Sequence, residues 1–522
     1  MAKAYLVGSG IAALSAAVFL IRDGGLDGRD IQLLEEQERI GGSLDAAGTA
    51  EAGYTMRGGR MFERQFRCTY DLLSSIPSLD DPSKSVTEEI FSDYESSAWN
   101  DTCRLVGADG NIIDTRSMGF SERDRLALAK CLATPEHRLD GKRISDCFGE
   151  GFFTTNFWFM WCTTFAFQPW HSAIEFRRYL NRFLHLFPTL DTMTGIYRTR
   201  YNQYDSIVRP LRTWLVDRGV IIRTGCRVTD MTFATGPGPT VEEILLTCGG
   251  TRERIPVRPD DLVMVTNGSM TANSSLGSDT AAPVPDASGP SGAWRLWQWL
   301  ALGRDDFGSP HTFDRSVQDS TWESFTVTCE DPVFAELMEA LSGREAGRGG
   351  LLSFPSSSWL LTVVLNRQPV YPDQPDGVTV WWGYGLHPHR TGDYVRKPMT
   401  ECTGQEILRE VLHHLHFEDA SGRIAAASRV VPCLMPYITS QFLVRERGDR
   451  PQVVPKGSAN LAFIGQFAEL PDDVVFTVEY SVRTAWTAVA GLLGHGKQPP
   501  AVHQGHRDPR VLLHALETMH RR

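Results

Sequence analysis

The sequence predicts an α/β protein: a Rossmann-like dinucleotide-binding domain interleaved with a mixed α+β domain and helical segments. Three observations predict it. A strand, a glycine-rich turn and a helix open the chain over residues 4–42. Buried-strand runs return at residues 220–223 and 261–268, far downstream. A strand, a glycine and a long helix then close the pattern over residues 460–485.

The opening unit justifies itself residue by residue. Ala4-Tyr5-Leu6-Val7 is an apolar strand, and Gly8-Ser9-Gly10-Ile11-Ala12-Ala13 fits G-x-G-x-x-G/A. Gly8 permits the tight turn, and Gly10 lets backbone approach a pyrophosphate. Ala12 and Ala13 keep the first helical turn small enough for close packing. The helix N-terminus offers free N–H groups and its positive dipole end to phosphate. A second apolar run, residues 31–34, ends at Glu35, which suits a ribose hydroxyl. Glu35 and the trailing Arg39-Ile40-Gly41-Gly42 resemble the E-x-x-x-R-x-G-G ending of the FAD-binding amine oxidase and phytoene desaturase superfamily, which implies FAD as the dinucleotide.

The rest follows in order. Residues 1–75 form the first part of the FAD-binding domain and include the loop Met56-Arg57-Gly58-Gly59-Arg60-Met61-Phe62-Glu63. Its paired glycines let backbone pass a flat or bulky group, and its arginines suit phosphate, flavin or carboxylate. A helix is expected at 68–73. Residues 76–200 form a helical, aromatic cavity segment. Within it 80–105 is polar and loop-rich, 121–132 is a helix capped by Ser121, and 148–170 is dense in aromatics. Such a run packs a core or walls a long apolar ligand equally well.

Residues 201–270 return to the FAD-binding fold. The turn Tyr201-Asn202-Gln203-Tyr204 offers a phenolic proton donor ahead of a helix at 206–217, and strands are expected at 220–223, 227–230 and 261–268. Residues 271–430 form a β-rich substrate domain. It has a Gly/Ser/Pro-rich loop over 269–293, helices at 294–304, 332–341 and 406–415, and strands at 360–365 and 378–384. Residues 431–500 close the FAD-binding fold through Gly465-Gln466 and a helix from Ser481 whose N-terminus suits an anionic group. Residues 501–522 form a basic C-terminal helix with Leu512, Leu516 and Met519 on one face, suited to docking on the body or to peripheral contact with anionic lipid.

Composition narrows the class. The chain has 522 residues, 42% hydrophobic and 22% charged, enough for more than one core. A net charge of −11 argues against a nucleic-acid binder. Ten cysteines lack C-x-x-C or paired spacing, so neither a zinc site, a disulfide framework nor any other metal motif is expected. Cys147 and Cys162 sit among apolar residues as packed thiols, and the compartment expected is cytoplasmic. The apolar start is too short for a signal peptide. The uncharged stretch 151–170 is long enough to span a bilayer, but its threonines, Asn156, Gln168 and Pro169 argue against a span.

Together these stretches resemble the oleate hydratase, or myosin-cross-reactive-antigen, family. The matching residues are Val7 through Leu14, Glu35 through Leu44, Arg57-Gly58-Gly59-Arg60, 162–177, Tyr201-Asn202-Gln203-Tyr204, Asn366-Arg367-Gln368-Pro369, Gly448-Asp449-Arg450-Pro451 and 463–485. The resemblance implies addition of water to the cis-9 double bond of oleic acid, giving 10-hydroxystearic acid. It implies FAD without net redox change, with the reduced flavin favoured, a tyrosine that protonates the alkene and a glutamate that activates water. By position the tyrosine is Tyr201 in preference to Tyr204. The glutamate position holds Met61, which cannot take a proton, so Glu63 is the substitute if the loop turns it inward, with Arg60 positioning the water. This R-G-G-R-M form resembles a shorter branch of the family. The fatty acid carboxylate falls to Asn366, with Val364 and Val370 where the family has threonine and histidine. Gly465-Gln466 stands where redox relatives carry Gly-Asp.

Two other functions fit the FAD motif: a redox enzyme of the amine oxidase or desaturase type acting on a lipid, and a non-catalytic FAD and lipid binder. The state expected is a monomer, with a homodimer as the alternative.

Overall fold

The computed structural model describes residues 2–96, 100, 101, 103–349 and 351–521. Residues 97–99 and 102 of the expected 80–105 loop, and Arg522 of the terminal helix, lie outside them.

The first strand, Ala4–Val7, is buried along its length because parallel strands flank it on both sides. The sheet order is Leu461–Ile464, Leu262–Thr266, Ala4–Val7, Ile31–Leu34, Ile221–Arg223, all parallel. Strands covered on both faces read as unbroken apolar runs, which is why they were legible in the sequence. Two helices cover one face, Ile11–Arg22 and Val478–Leu493. Small residues from Ala12 to Ala17 let them approach, and Phe19 stacks on Trp486 at 4.9 Å. Sequence segments more than 400 residues apart thus meet in one Rossmann-like core.

The second sheet is antiparallel, in the order Ser275–Leu276, Ser428–Met435, Trp322–Cys329, Thr379–Gly385, Leu361–Val364, Leu351–Ser353. It runs five residues beyond position 430, where the β-rich domain was expected to end. Its central strand alternates two jobs. Phe325, Val327 and Cys329 enter a core with Trp359 and Trp381. Thr326 and Thr328 face the other way, and their hydroxyls accept from the Met56 and Tyr54 amides at 3.1 and 2.9 Å. Those bonds fasten the hairpin Ala46–Thr49 and Gly53–Met56 to the sheet, and so aim the loop that follows it.

Three local expectations need correction, and the aromatic run resolves into two helices. A helix, Val86–Ser96, occupies the stretch taken as loop, because Ser85 and Glu88 cap each other's backbone amides. An unforeseen antiparallel sheet, Cys226–Phe233, Val241–Cys248 and Thr251–Pro256, sets Cys226 directly opposite Cys248, and the two form a disulfide, against the expectation of none. The closing helix starts at Val478, not Ser481, because the Thr477 hydroxyl caps it by accepting from the Tyr480 amide. The aromatic run breaks at Ala166 in the left-handed region, ending helix Asn156–Phe165 before helix Ala173–Phe183. No helix of the described residues is long and apolar enough to cross a membrane.

Candidate active site

A groove of about 790 Å³ lies at the carboxyl ends of the parallel strands, where open α/β sheets bind ligands. Gly8, Gly10, Ala12, Glu35, Gly42, Arg57, Gly465, Gln466 and Ser481 border it. Gly8 adopts φ +97°, and a Cβ there would lie 3.1 Å from Thr266 Oγ1. Around Gly10 a Cβ would meet nothing within 4 Å, so its backbone faces open groove. Gly10 is the N-cap of helix Ile11–Arg22 and no side chain caps it. The first amides are therefore available to a ligand. Ala13 is wholly buried and serves the packing. Gly41 has φ +113°, and a Cβ there would lie 3.3 Å from the Val208 methyls, so only glycine lets the chain turn back toward the groove here.

Glu35 is half-buried at the groove wall, with Ser9 Oγ donating to it at 2.6 Å and the Gln37 amide at 2.8 Å. Burial pushes its carboxyl above the usual range. Gln466 ties strand exit to helix start: its Nε2 donates to Thr477 O and Ser481 Oγ, and its Oε1 accepts from the Phe476 amide. Ser481 therefore sits one turn inside the helix, held by Gln466.

The loop 56–63 leaves the hairpin and runs between this groove and two smaller cavities. Arg57 borders the groove and pairs with Asp45 at 3.7 Å. Gly58 packs against Trp382, whose ring lies 3.6 Å from where its Cβ would be. Gly59 borders both small cavities rather than the groove. The first cavity, about 50 Å³, also takes Met56, Arg198, Arg200, Tyr201, Asn366 and Val370 in its wall. The second, about 90 Å³, is apolar and aromatic, bordered by Phe165, Tyr179, Phe183, Leu190, Met193 and Phe476, with Arg60, Met61 and Glu63.

Arg60 has no carboxylate within ion-pair distance among the described residues. Its Nη2 reaches Ser43 O at 3.3 Å, and its guanidinium lies over the Phe476 ring at 5.2 Å. Burial pulls it down to about 10. Glu63 does turn inward: it is 2% exposed, pairs with Arg182 Nη1 at 2.8 Å, and faces His185 Nε2 at 3.3 Å. Burial raises its carboxyl, but the His185 hydrogen bond and the Arg182 charge outweigh it and hold Glu63 below the usual range.

Tyr201 stands at the rim of the first cavity with Arg200 over its ring at 4.9 Å. Burial and a hydrogen bond with Asp80 raise its phenol. Tyr204 is corrected: it borders none of the three cavities, and its ring lies beneath the Arg39 guanidinium at 4.1 Å as a packing partner. Val364 is corrected too. It is buried in strand Leu361–Val364 and reaches none of the three cavities, whereas Val370 and Asn366 do. Asn366 Oδ1 accepts from Arg198 Nη1 at 2.6 Å, and burial lowers Arg198 to about 9.

Sequence reasoning missed Arg198, Arg200, Tyr179, Arg182 and His185. Arg182 and His185 follow the 177-ending matched stretch on the next helical turns, so helical spacing could have flagged them. Nothing local marked Arg198.

A parallel sheet with a groove at its carboxyl ends, separated from an aromatic cavity by one glycine-containing loop, places the protein in the Rossmann-like α/β class. A model of the MCRA family matches residues 1–490, and the chain belongs to that family. It is 40% identical over 525 residues to the oleate hydratase of Streptococcus pyogenes serotype M49 (strain NZ131), covering 98% of this chain and 89% of that one. It is 32% identical over 569 residues to the linoleate hydratase of Lactiplantibacillus plantarum, covering 99% and 98%. Among solved structures it is similar to a putrescine oxidase bound to putrescine, with TM-score 0.57, 13% identity and coverage of 95% and 99%. Cyclohexylamine oxidase from Brevibacterium oxydans IH-35A gives TM-score 0.56, 14% identity and coverage of 94% and 99%. Those two likenesses speak for the fold.

Proposed function

We propose that the protein is an FAD-containing, non-redox fatty acid hydratase that adds water to the cis-9 double bond of oleic acid, giving 10-hydroxystearic acid. The observation that carries the proposal is the single loop, 56–63, walling the nucleotide groove on one side and both small cavities on the other. The oleate and linoleate hydratase relatives support the substrate class.

The groove fits FAD on its own chemistry. Thr266 Oγ1 and both side-chain polar atoms of Asn267 are buried without hydrogen-bond partners and border it. Buried polar groups left open in this way are complemented by a polar ligand. Gly8, Gly10 and the uncapped amides from Ile11 would hold the pyrophosphate, and Glu35 the ribose. Bound there, the flavin would supply an electron-rich surface close to a developing carbocation.

The chain's own residues divide the remaining work. Tyr201 donates its phenolic proton to the alkene. Glu63 takes a proton from the attacking water in place of the missing carboxylate at Met61. Arg60 orients that water. Asn366, with Arg198 and Arg200 beside it, binds the fatty acid carboxylate, and the aromatic wall from Phe165 to Phe183 excludes bulk water.

The test is anaerobic incubation of FAD-loaded protein with oleic acid under flavin-reducing conditions, with products read by mass spectrometry. Gain of one water with the hydroxyl at C10 is expected. No hydrated product from oleate or other cis-9 acids overturns the proposal, and substrate-dependent oxygen consumption instead would favour the redox alternative. Tyr201→Phe is expected to cut hydration by about 10²-fold or more while FAD stays bound; unchanged turnover removes Tyr201 as donor.

A further inference from the structure

Glu63 borders the apolar cavity with one edge and meets a histidine with the other. Its Oε2 accepts from the Gln65 amide at 2.7 Å and faces His185 Nε2 at 3.3 Å. His185 lies on the short helix Leu184–Thr189, with its side chain 17% exposed. The far side of that ring meets a second histidine from the C-terminal segment: the rings of His185 and His503 stand edge to face, 4.8 Å apart. His503 is part-exposed and lies beyond the residues matched by the family model.

The two inner nitrogens converge. A Cβ built on Gly505 would lie 3.3 Å from His503 Nε2 and 3.5 Å from His185 Nδ1. Neither nitrogen makes a hydrogen bond. Two buried ring nitrogens sharing one small space beside a glycine are placed for a single bridging water. No backbone need explains the glycine, since Gly505 is not in the left-handed region. What a side chain there would do is fill the space between the two rings.

We propose that Glu63, His185 and His503 form a proton exit from the apolar cavity to the surface. The inference rests on the hydratase reading. Hydration moves two protons: one from a donor to an alkene carbon, and one from the attacking water to a base. As the water oxygen bonds to carbon with its lone pair, one of its O–H bonds breaks and the proton goes to Glu63. Glu63 passes it to Nε2 of His185 in its Nδ1–H tautomer, and the Nδ1 proton leaves toward the water beside Gly505 and on to His503. The Nε2–H form left behind, which donates to ionised Glu63, exchanges with solvent to restore the starting tautomer before the next turnover. Solvent then takes that proton and returns one to the donor, so atoms and charge balance over the cycle. Two surroundings fit this route. Arg182, at 2.8 Å, keeps Glu63 ionised and ready to accept. Burial, with His185 and Arg182 nearby, pushes His503 down to about 4, so its ring is neutral near pH 7 and hands a proton on rather than storing it.

The test uses the full-length, FAD-loaded protein turning over oleate. His185→Gln keeps a hydrogen-bonding group beside Glu63 but cannot carry a proton. It is expected to lower kcat about 10²-fold with KM and the flavin spectrum unchanged. His185→Ala is expected to lose as much, and to regain turnover as imidazole is added to the buffer. Gly505→Ala leaves both histidines in place and puts a methyl between them; a kcat several-fold lower is expected. A wild-type protein that hydrates oleate while His185→Gln and Gly505→Ala match it overturns the exit. So does a His185→Ala loss that imidazole never recovers. A wild-type protein that hydrates nothing overturns the function and the exit together.

Discussion

Two arginine sites, one fully buried around Glu175 and one half-buried at the wall of the aromatic cavity, are built on opposite rules. Behind helix Ala173–Phe183, Arg445 and Arg450 both reach Glu175 Oε1, at 2.6 and 2.9 Å, and all three side chains are fully buried. Arg178 beside them meets Glu136 at 2.8 Å and Glu469 at 2.7 Å. In front, Arg60 is half-buried beside the cavity, with no carboxylate within ion-pair distance among the described residues. A buried cation with its carboxylates is architecture. One without them is held at a cost, and such a site is completed by something that arrives. The matched segments 162–177 and 448–451 are explained by the first site, since they meet through Glu175 and Arg450. The loop 57–60 is explained by the second.

The largest expected effect tests the first site. Glu175→Ala leaves two buried guanidinium groups with only their longer contacts to Glu469, at 3.7 and 3.8 Å, and is expected to destabilise by about 3–5 kcal/mol. A thermal melt checks it; a melting temperature within a degree or two of wild type breaks the contrast. Arg60→Met is the converse. We expect hydration to fall on the order of tenfold to a hundredfold, about 1.4–2.7 kcal/mol in the barrier, with stability equal or higher because a half-buried charge without a carboxylate partner is gone. Lost stability together with retained turnover would make Arg60 structural after all. The smallest effect is in acid. Burial raises the Glu175 carboxyl, but Arg450, Arg445 and Arg178 outweigh it and bring it down to about 2. Its stabilisation is thus complete above the unfolded value near 4.5 and is lost as pH falls toward 2, with a slope of at most about 1.4 kcal/mol per pH unit. Denaturant melts between pH 5 and 3 should show wild type losing this increment and Glu175→Gln lacking it.

The fold was legible where burial is two-sided. The runs at 4–7, 31–34 and 261–268 read directly as central parallel strands, and Gly8, Gly10 and Glu35 border the groove at their carboxyl ends. Legibility failed where a pairing partner decides the structure. The strand 241–248 alternates weakly, so its hairpin went unread, and with it the reason Cys226 and Cys248 meet. The helix at 86–96 was masked by its polar composition, although Ser85 and Glu88 carried its cap. The preference for Tyr201 over Tyr204, and the choice of Val364, rest on position in the resemblance alone. Which of two tyrosines turns to a cavity depends on the left-handed glycine at 41 and the arginine at 39, and no local pattern reports that.

The shared wall also constrains divergence. Between Arg57 and Glu63, most positions border a binding space, and Gly59 borders two at once. On the function proposed above, a substitution there is expected to be pleiotropic, changing cofactor fit, substrate fit and proton traffic in a single step. Leu186, Leu190 and Met193 border the aromatic cavity alone among these spaces. Adaptation to a longer, shorter or more unsaturated chain is therefore expected to accumulate on that far wall. Directed evolution aimed at substrate range should begin there and leave the loop alone.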